Sequence, residues 1–272
     1  MTIAIAVKVK EGIVLASDSM GTQTDDKGDV RNFCDKTAKI FQLHEDFPVG
    51  IVAYGSSTIT GYPLSLLVSD FRDCLSDPAK RIDRQTYDVQ KIAGRFKEVV
   101  ASQCNSRASD QKTGFLIAGY SSSDGHRSAF GEVWEIVVTD GIPQKPIMII
   151  DQHLPGLVHR GMDKPLIRML AGFEDRELER IMKYYISDDK TISKIIRYCE
   201  YDLEAHPITD TTPIGNVAEL AVFLVETTTY YTRFCCTGSD SMGVGGSVQI
   251  ATISRYKGFE KVRLVTRPQI YH

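Results

Sequence analysis

No apolar run in the 272-residue sequence approaches the ~20 residues that a membrane-spanning helix requires, so a helical membrane protein is excluded. Charge of one sign is equally lacking. Thirty-two Lys and Arg stand against 35 Asp and Glu, a formal charge of −3, which leaves no global basic footprint for nucleic acid. The six cysteines (Cys34, Cys74, Cys104, Cys199, Cys235, Cys236) form no CxxC pair and no disulfide framework, and a reducing, cytoplasmic setting is expected. The six histidines are scattered, none at ligand spacing, so no metal is expected. Gly243-Val244-Gly245-Gly246 lacks the Lys-Ser/Thr of a phosphate loop and leads into a strand, so no cofactor is expected either. Asp25-Asp26 and Asp188-Asp189 are carboxylate pairs without a partner motif, read as solvated. What remains is ordinary globular composition, 42% hydrophobic and 25% charged.

The chain opens with sheet. Ile3, Ile5, Val7 and Val9 alternate with Ala4, Ala6, Lys8 and Lys10, a strand pattern. No positive charge precedes this run and Lys8, Lys10 and Glu11 break it, unlike a signal peptide. Glu11-Gly12 reads as a hairpin turn, after which Ile13–Ser17 returns as a second strand. Strand then starts at the second residue. With Met1 removed ahead of a small residue, Thr2 becomes terminal and carries a hydroxyl nucleophile and a free α-amine on one residue. Such an amine titrates near about 7.7–8.0, so it can accept the hydroxyl proton directly or through water.

Alone, Thr2 is a good β-former at a strand start, Asp18 a turn residue and Lys36 or Lys39 a surface charge. The ordered set says more. A two-residue Glu11-Gly12 loop places Lys10 opposite Ile13 and Thr2 near Gly21, leaving Asp18 roughly 10 Å along the strand, too far to touch the hydroxyl. A bridging cation is then required. An ammonium from the segment Lys36–Phe41, held by Asp18 beside Thr2, would favour the ionised hydroxyl and lower the α-amine's proton affinity.

With these residues the sequence resembles the proteasome β-type subunits, N-terminal nucleophile (Ntn) hydrolases that begin with Thr, hold an Asp at the end of the second strand and place a Lys before a short apolar strand. The resemblance implies Thr2 as nucleophile, Asp18 as orienter of the lysine, and Lys39, which precedes Ile40-Phe41-Gln42-Leu43, as activator of the hydroxyl. Val49–Ser57 resembles the strand-to-helix junction whose backbone N–H forms the oxyanion hole. The family has Gly-Gly where this chain has Tyr54-Gly55, so either residue is the donor, and Gly55 is taken with the catalytic set. Gly21, Val52, Ala53 and Tyr54 are then expected to contact substrate, with Val52 and Ala53 near a side-chain pocket. The Asp25–Asp29 stretch reads as an insertion beside the active-site mouth.

Helical stripes follow at Leu64, Leu67, Val68, Phe71 and Leu75, and at Val89, Ile92, Ala93, Phe96 and Val100. Gly114–Tyr120 and Glu132–Val138 resemble the family's central strands, with a turn at Thr139-Asp140-Gly141. Residues 165–205 carry helical patterns and Pro213–Thr229 reads as one amphipathic helix. Before the strand Ser247–Ile253, Asp240–Gly246 resembles the family's Asp-x-x-Ser-Gly-Gly turn. Val244 stands where its Ser is expected, leaving Asp240 or Ser241 as the supporting groups. The supporting serine ahead of the third helix has no match; Gly161–Lys164 occupies that region.

The resemblance, which extends to the order of elements along the chain, implies a four-layer αββα sandwich of two antiparallel sheets between helical layers. No linker or repeat divides the sequence, so one domain spanning residues 1–272 is expected. The same resemblance implies a threonine-type peptidase acting on peptide or unfolded protein inside a homo-oligomeric ring, with an ATPase or unfoldase as a possible partner. The competing expectation is a catalytically silent subunit of the same fold, which the altered distal residues favour and the retained Thr2–Asp18–Lys39 order opposes.

Overall fold

Fifteen short strands and six helices, in a computed structural model that describes residues 2–24, 30–45, 47–77, 82–83, 86–104, 112–122, 131–236 and 243–262, follow the apolar periodicities closely. In chain order they are β1 (Ile3–Lys8), β2 (Ile13–Ser17), β3 (Gly21–Thr24), β4 (Val30–Cys34), β5 (Ile40–Gln42), β6 (Val49–Gly55), β7 (Thr58–Ile59), β8 (Tyr62–Pro63), α1 (Leu64–Ser76), α2 (Val89–Gln103) and β9 (Thr113–Gly119). There follow β10 (Glu132–Thr139), β11 (Ile142–Pro143), β12 (Ile147–Ile150), β13 (Gly156–Gly161), α3 (Lys164–Leu170), α4 (Asp175–Met182), α5 (Asp189–Leu203), α6 (Ile214–Cys235), β14 (Gln249–Ser254) and β15 (Gly258–Lys261). The protein is of mixed α+β class with antiparallel sheets. One sheet runs β13-β1-β2-β14-β15. The other runs β11-β10-β9-β6-β5, with β12 also on β10.

Side-chain alternation sorts the core into three apolar clusters. Ala4, Ala6 and Leu15 of the first sheet pack with Val52, Leu116 and Val133 of the second. Ile3, Ile5, Val7 and Val14, on the opposite face of the first sheet, pack with Leu166 of α3 and with Val217, Ala221 and Leu224 of α6. Ile51, Ala53, Phe115 and Ile136 of the second sheet pack with α1 and α2. There Phe71, Phe96 and Phe115 form an edge-to-face chain at 5.3 and 5.1 Å, each contact worth about 0.5–1.5 kcal/mol beyond its burial. Burial on both faces explains why β1 and β2 are continuously apolar rather than half polar.

The first hairpin departs from the expected register. Val9 N–H donates to Gly12 O at 3.0 Å and Lys8 lies opposite Ile13, so the loop is Lys10-Glu11 rather than Glu11-Gly12. The whole ladder shifts by two residues: Ala4 faces Ser17, and the same register carries Thr2 to Ser19, not Gly21, and Asp18 to Ile3. The 10 Å gap inferred for Asp18 came from that misplaced turn and does not exist. Farther on, α6 begins where expected and continues to Cys235. Asp188, read as merely solvated, caps α5 by accepting from Lys190 and Thr191 N–H at 3.2 and 3.1 Å. Asp25–Asp29, the expected insertion, lies outside the described residues. No helix among the described residues is long and apolar enough to cross a membrane.

One polar side chain interrupts the layer between the sheets far from Thr2. Lys8, at the other end of β1, is fully buried and donates to the Asp151 carbonyl. Burial pushes its ammonium down to about 8, against the pull of Asp151 and Glu132. Between that value and the ordinary 10.5, the unfolded chain holds a proton that the folded chain has released, so this group adds stability as pH climbs. The melting temperature of the wild type relative to Lys8→Met should therefore be flat below pH 8 and rise between pH 8 and 10, as read by circular dichroism melts across that range.

Candidate active site

Asp18 directly follows β2, and its carboxylate collects donors from four segments. Oδ1 accepts the Ile3 N–H at 3.2 Å and the Lys39 ammonium at 2.7 Å. Oδ2 accepts the N–H groups of Met20 and Gly245, both at 3.1 Å. Four donors fill the acceptor capacity of one carboxylate. They come from β1, the residue after Ser19, the lead-in to β5 and the glycine turn before β14. Asp18 is 1% exposed, Thr2 3% and Lys39 5%. Burial pushes the Lys39 ammonium below its ordinary range, and the charge and hydrogen bond of Asp18 oppose that fall. The sequence therefore folds to hold the Lys39 ammonium on the same carboxylate oxygen that accepts the N–H of the residue after Thr2.

A second tier fixes the lysine. The Gln249 carboxamide accepts the Lys39 N–H through Oε1 at 3.0 Å and donates through Nε2 to Thr37 O at 2.6 Å. It ties the start of β5 to β14. Ser19 binds the glycine turn from below: its N–H donates to Gly245 O at 3.1 Å, while its Oγ accepts the Ser247 N–H at 2.8 Å. Gly246, at φ +73°, has no room for a side chain, since a Cβ there would lie 2.4 Å from Ser19 Oγ. Ser19, Gly245, Ser247 and Gln249 were missed by sequence reasoning. The only hint was the glycine-rich turn, read for its Asp and Ser instead. Asp240 and Ser241, the groups expected there, lie outside the described residues.

The remaining expected residues divide between faces. Gly21 pairs with Cys34 and presses on Thr37, where a Cβ would meet Oγ1 at 2.2 Å. Val52 and Tyr54 point into the layer between the sheets, whereas Ala53 points to α1 and α2. Val52 and Ala53 thus do not share one pocket. Ala53 N–H donates to Lys39 O at 2.9 Å. By strand alternation the Gly55 N–H leaves the same edge of β6, on the Lys39 side, and Tyr54 N–H leaves the other. That alternation favours Gly55 over Tyr54 as an oxyanion donor. Gly55 itself requires glycine, at φ +88° with a Cβ position 2.1 Å from Lys112 O. The helix expected directly after it is displaced: the β7–β8 hairpin intervenes, and α1 starts only at Leu64. The amide therefore does not draw on a helix N-terminus.

Antiparallel sheets packed with helices, and a buried Asp–Lys pair beside the head of the first strand, define the class: an α+β protein with a buried polar cluster at one sheet end. Comparison with solved structures names the neighbours. Anbu (ancestral beta-subunit) from Yersinia bercovieri matches with a TM-score of 0.54 at 13% identity, over 98% of this chain and 88% of that one. A Gly-1 mutant of Anbu from Hyphomicrobium sp. strain MC1 matches with a TM-score of 0.52 at 14% identity, over 97% and 86%. Anbu proteins are a proteasome-like Ntn-hydrolase family, and at these identities the likeness is one of fold. No family model and no curated protein matches the sequence. The resemblance to proteasome β-type subunits is thereby corrected. A Thr–Asp–Lys order and a few strand ends are too few positions to separate families that share a fold.

Breaking the cluster should be costly. Asp18→Ala leaves the Lys39 ammonium buried without its counter-charge and orphans three N–H groups, a loss of about 3–5 kcal/mol. Asp18→Ala/Lys39→Met, which removes both charges, should recover part of that in urea unfolding.

Proposed function

We propose that this protein is a threonine-type Ntn hydrolase that cleaves amide bonds in peptides, with its sheets and helices stacked as a four-layer αββα sandwich. The observation that carries this reading is the double attachment of Asp18, to the N–H that follows Thr2 and to the Lys39 ammonium. Once Met1 is removed, the Thr2 hydroxyl attacks the amide carbonyl and its own α-amine takes the proton. The Lys39 charge favours the ionised oxygen and disfavours a protonated α-amine beside it. The Gly55 N–H receives the oxyanion. The amine leaving group departs with the relayed proton, and water then hydrolyses the acyl ester on Thr2. Gly21 and the Val52–Tyr54 edge flank the substrate, chiefly through main chain.

A homo-oligomeric ring in the cytoplasm, served by an ATPase or unfoldase, extends the same proposal. Self-association is supported by apolar side chains left outside the core, among them Tyr184, Tyr185, Tyr198 and Tyr201 around α4 and α5 and Phe223 and Phe234 on α6. Helix α4 buries none of its residues and α5 buries only Ile192. The 3% exposure of Thr2 favours a second reading, in which the Asp18 cluster is purely structural and the subunit is silent.

Intact-mass spectrometry separates the two. The mature protein should lack Met1 and gain one β-lactone adduct on Thr2, absent in Thr2→Ala. An intact Met1, or demethionylated protein that takes no adduct, overturns the hydrolase.

A further inference from the structure

Thr2 directly precedes β1 of one sheet and Gly55 ends β6 of the other. Whatever fixes the spacing between the sheets at that end therefore also fixes nucleophile against oxyanion donor. Apolar packing is non-directional, whereas a hydrogen bond constrains both the distance and the angle between its partners.

Besides the Asp18–Lys39 and Gln249 contacts, a further polar array crosses between the sheets at this end. Tyr54 on β6 turns inward, and its Oη donates to Glu135 Oε1 on β10 at 2.7 Å. Arg160 on β13 grips the same carboxylate with Nε on Oε1 at 2.6 Å and Nη2 on Oε2 at 3.2 Å. Its Nη1 donates to His159 O at 2.9 Å, which holds the fork to its own strand. Tyr54 and Glu135 are in the second sheet and Arg160 is in the first. The array ends close to both reacting positions. Arg160 lies opposite Ala4, two residues along β1 from Thr2, and Tyr54 immediately precedes Gly55.

One glycine makes room for it. A Cβ at Gly114 would lie 2.1 Å from Tyr54 Cζ, so the ring rests directly on that backbone. Gly161 instead admits the Thr2 carbonyl, since a Cβ there would lie 2.0 Å from Thr2 O, with Tyr54 Cβ at 3.7 Å in ordinary contact. The Met162 N–H donates to that carbonyl at 2.9 Å and fixes the end of β1. Burial, and then Glu135, hold the Tyr54 phenol above its ordinary range, so the donor proton stays in place at neutral and mildly alkaline pH.

We infer that Tyr54, Glu135 and Arg160 are positioning residues, a polar brace between the two sheets that sets the Gly55 N–H at the distance from Thr2 that the oxyanion requires. This rests on the hydrolase reading above. The brace acts through the Tyr54–Gly55 peptide plane and touches no reacting atom. A half-buried bidentate Arg–carboxylate pair suits the task, since its planar fork adds geometric specificity to the charge-assisted hydrogen bonds.

Tyr54→Phe keeps the ring on Gly114 and removes only the hydroxyl. In that variant kcat for a fluorogenic peptide should fall about tenfold, the order of a misaligned oxyanion donor, with KM within about twofold. Amide hydrogen exchange should quicken about tenfold in the peptides covering residues 50–57 and 2–5 and stay unchanged over α1 and α2. Tyr62→Phe, which removes a phenol hydrogen bond to Asp70 on the α1 side, should change neither readout. Unchanged exchange in Tyr54→Phe overturns the brace. So does a wild-type kcat in Tyr54→Phe, or a loss matched by Tyr62→Phe. If the wild type neither hydrolyses peptide nor labels on Thr2, the hydrolase reading fails by itself, and the exchange comparison still decides the brace.

Discussion

The Asp18 carboxylate is the point on which the arrangement at this end of the molecule depends. It is buried, and a buried carboxylate is tolerated only when its oxygens are matched by donors. Here the matching donors come from four separate segments. Meeting the demand of one group therefore forces β1, the β2 end, the β5 lead-in and the glycine turn before β14 into a fixed relation. The same demand draws a lysine into a place where its own ammonium is disfavoured by burial. Neither charge would be stable there without the other. A cation beside the first strand is the chemical result of that mutual requirement.

Around this centre the fold divides its work by sheet. The first sheet supplies Thr2 and Asp18. The second supplies Gly55 and, through the lead-in to β5, the lysine. The apolar layer between them gives cohesion but little positional control. Position comes from polar contacts that cross the gap: Asp18 to Lys39, Gln249 to the segment before β5, and Arg160 through Glu135 to Tyr54. Gly114 leaves the space that the Tyr54 ring fills, while Gly161 and Gly246 admit the Thr2 carbonyl and the Ser19 hydroxyl. This gives Tyr54 a physical role where a glycine was expected. Its side chain leaves the edge of β6 and enters the interior, so its bulk does not obstruct the main-chain donor beside it.

Much of the fold was legible in residue order. Helices α1, α2 and α6 fall where periodicity put them, because each buries one face and its apolar residues repeat accordingly. Strands β1 and β2 were legible as short apolar runs buried on both faces, and β9 and β10 fall where the family resemblance put them. The errors share a cause. The hairpin loop was placed one residue late because Glu11-Gly12 is a better turn pair than Lys10-Glu11 by composition, while the ladder is set by which side chains must face the core. The helix expected after Gly55 gave way to a two-strand hairpin, since Pro63 and Gly61 end one element before α1 can start. The family first suggested by Thr2, Asp18 and Lys39 gave way to Anbu as the structural neighbour for a different reason. Shared chemistry at a few positions marks a fold more readily than a lineage within it.

By itself, the sequence determined many of the strand and helix faces, which follow from local periodicity. It also offered Thr2, Asp18 and a lysine of the segment 36–41 as residues worth joining, which follows from ordered chemistry along the chain. The α+β class and the choice of Lys39 came with the family resemblance. Only the tertiary structure decided that Asp18 reaches both Ile3 and Lys39, that Ser19, Gly245, Ser247 and Gln249 complete the cluster, and that Glu135 and Arg160 stand behind Tyr54. Those contacts join residues up to 228 positions apart. They arise where separate strands end side by side, and no pattern along one strand records which others will end there.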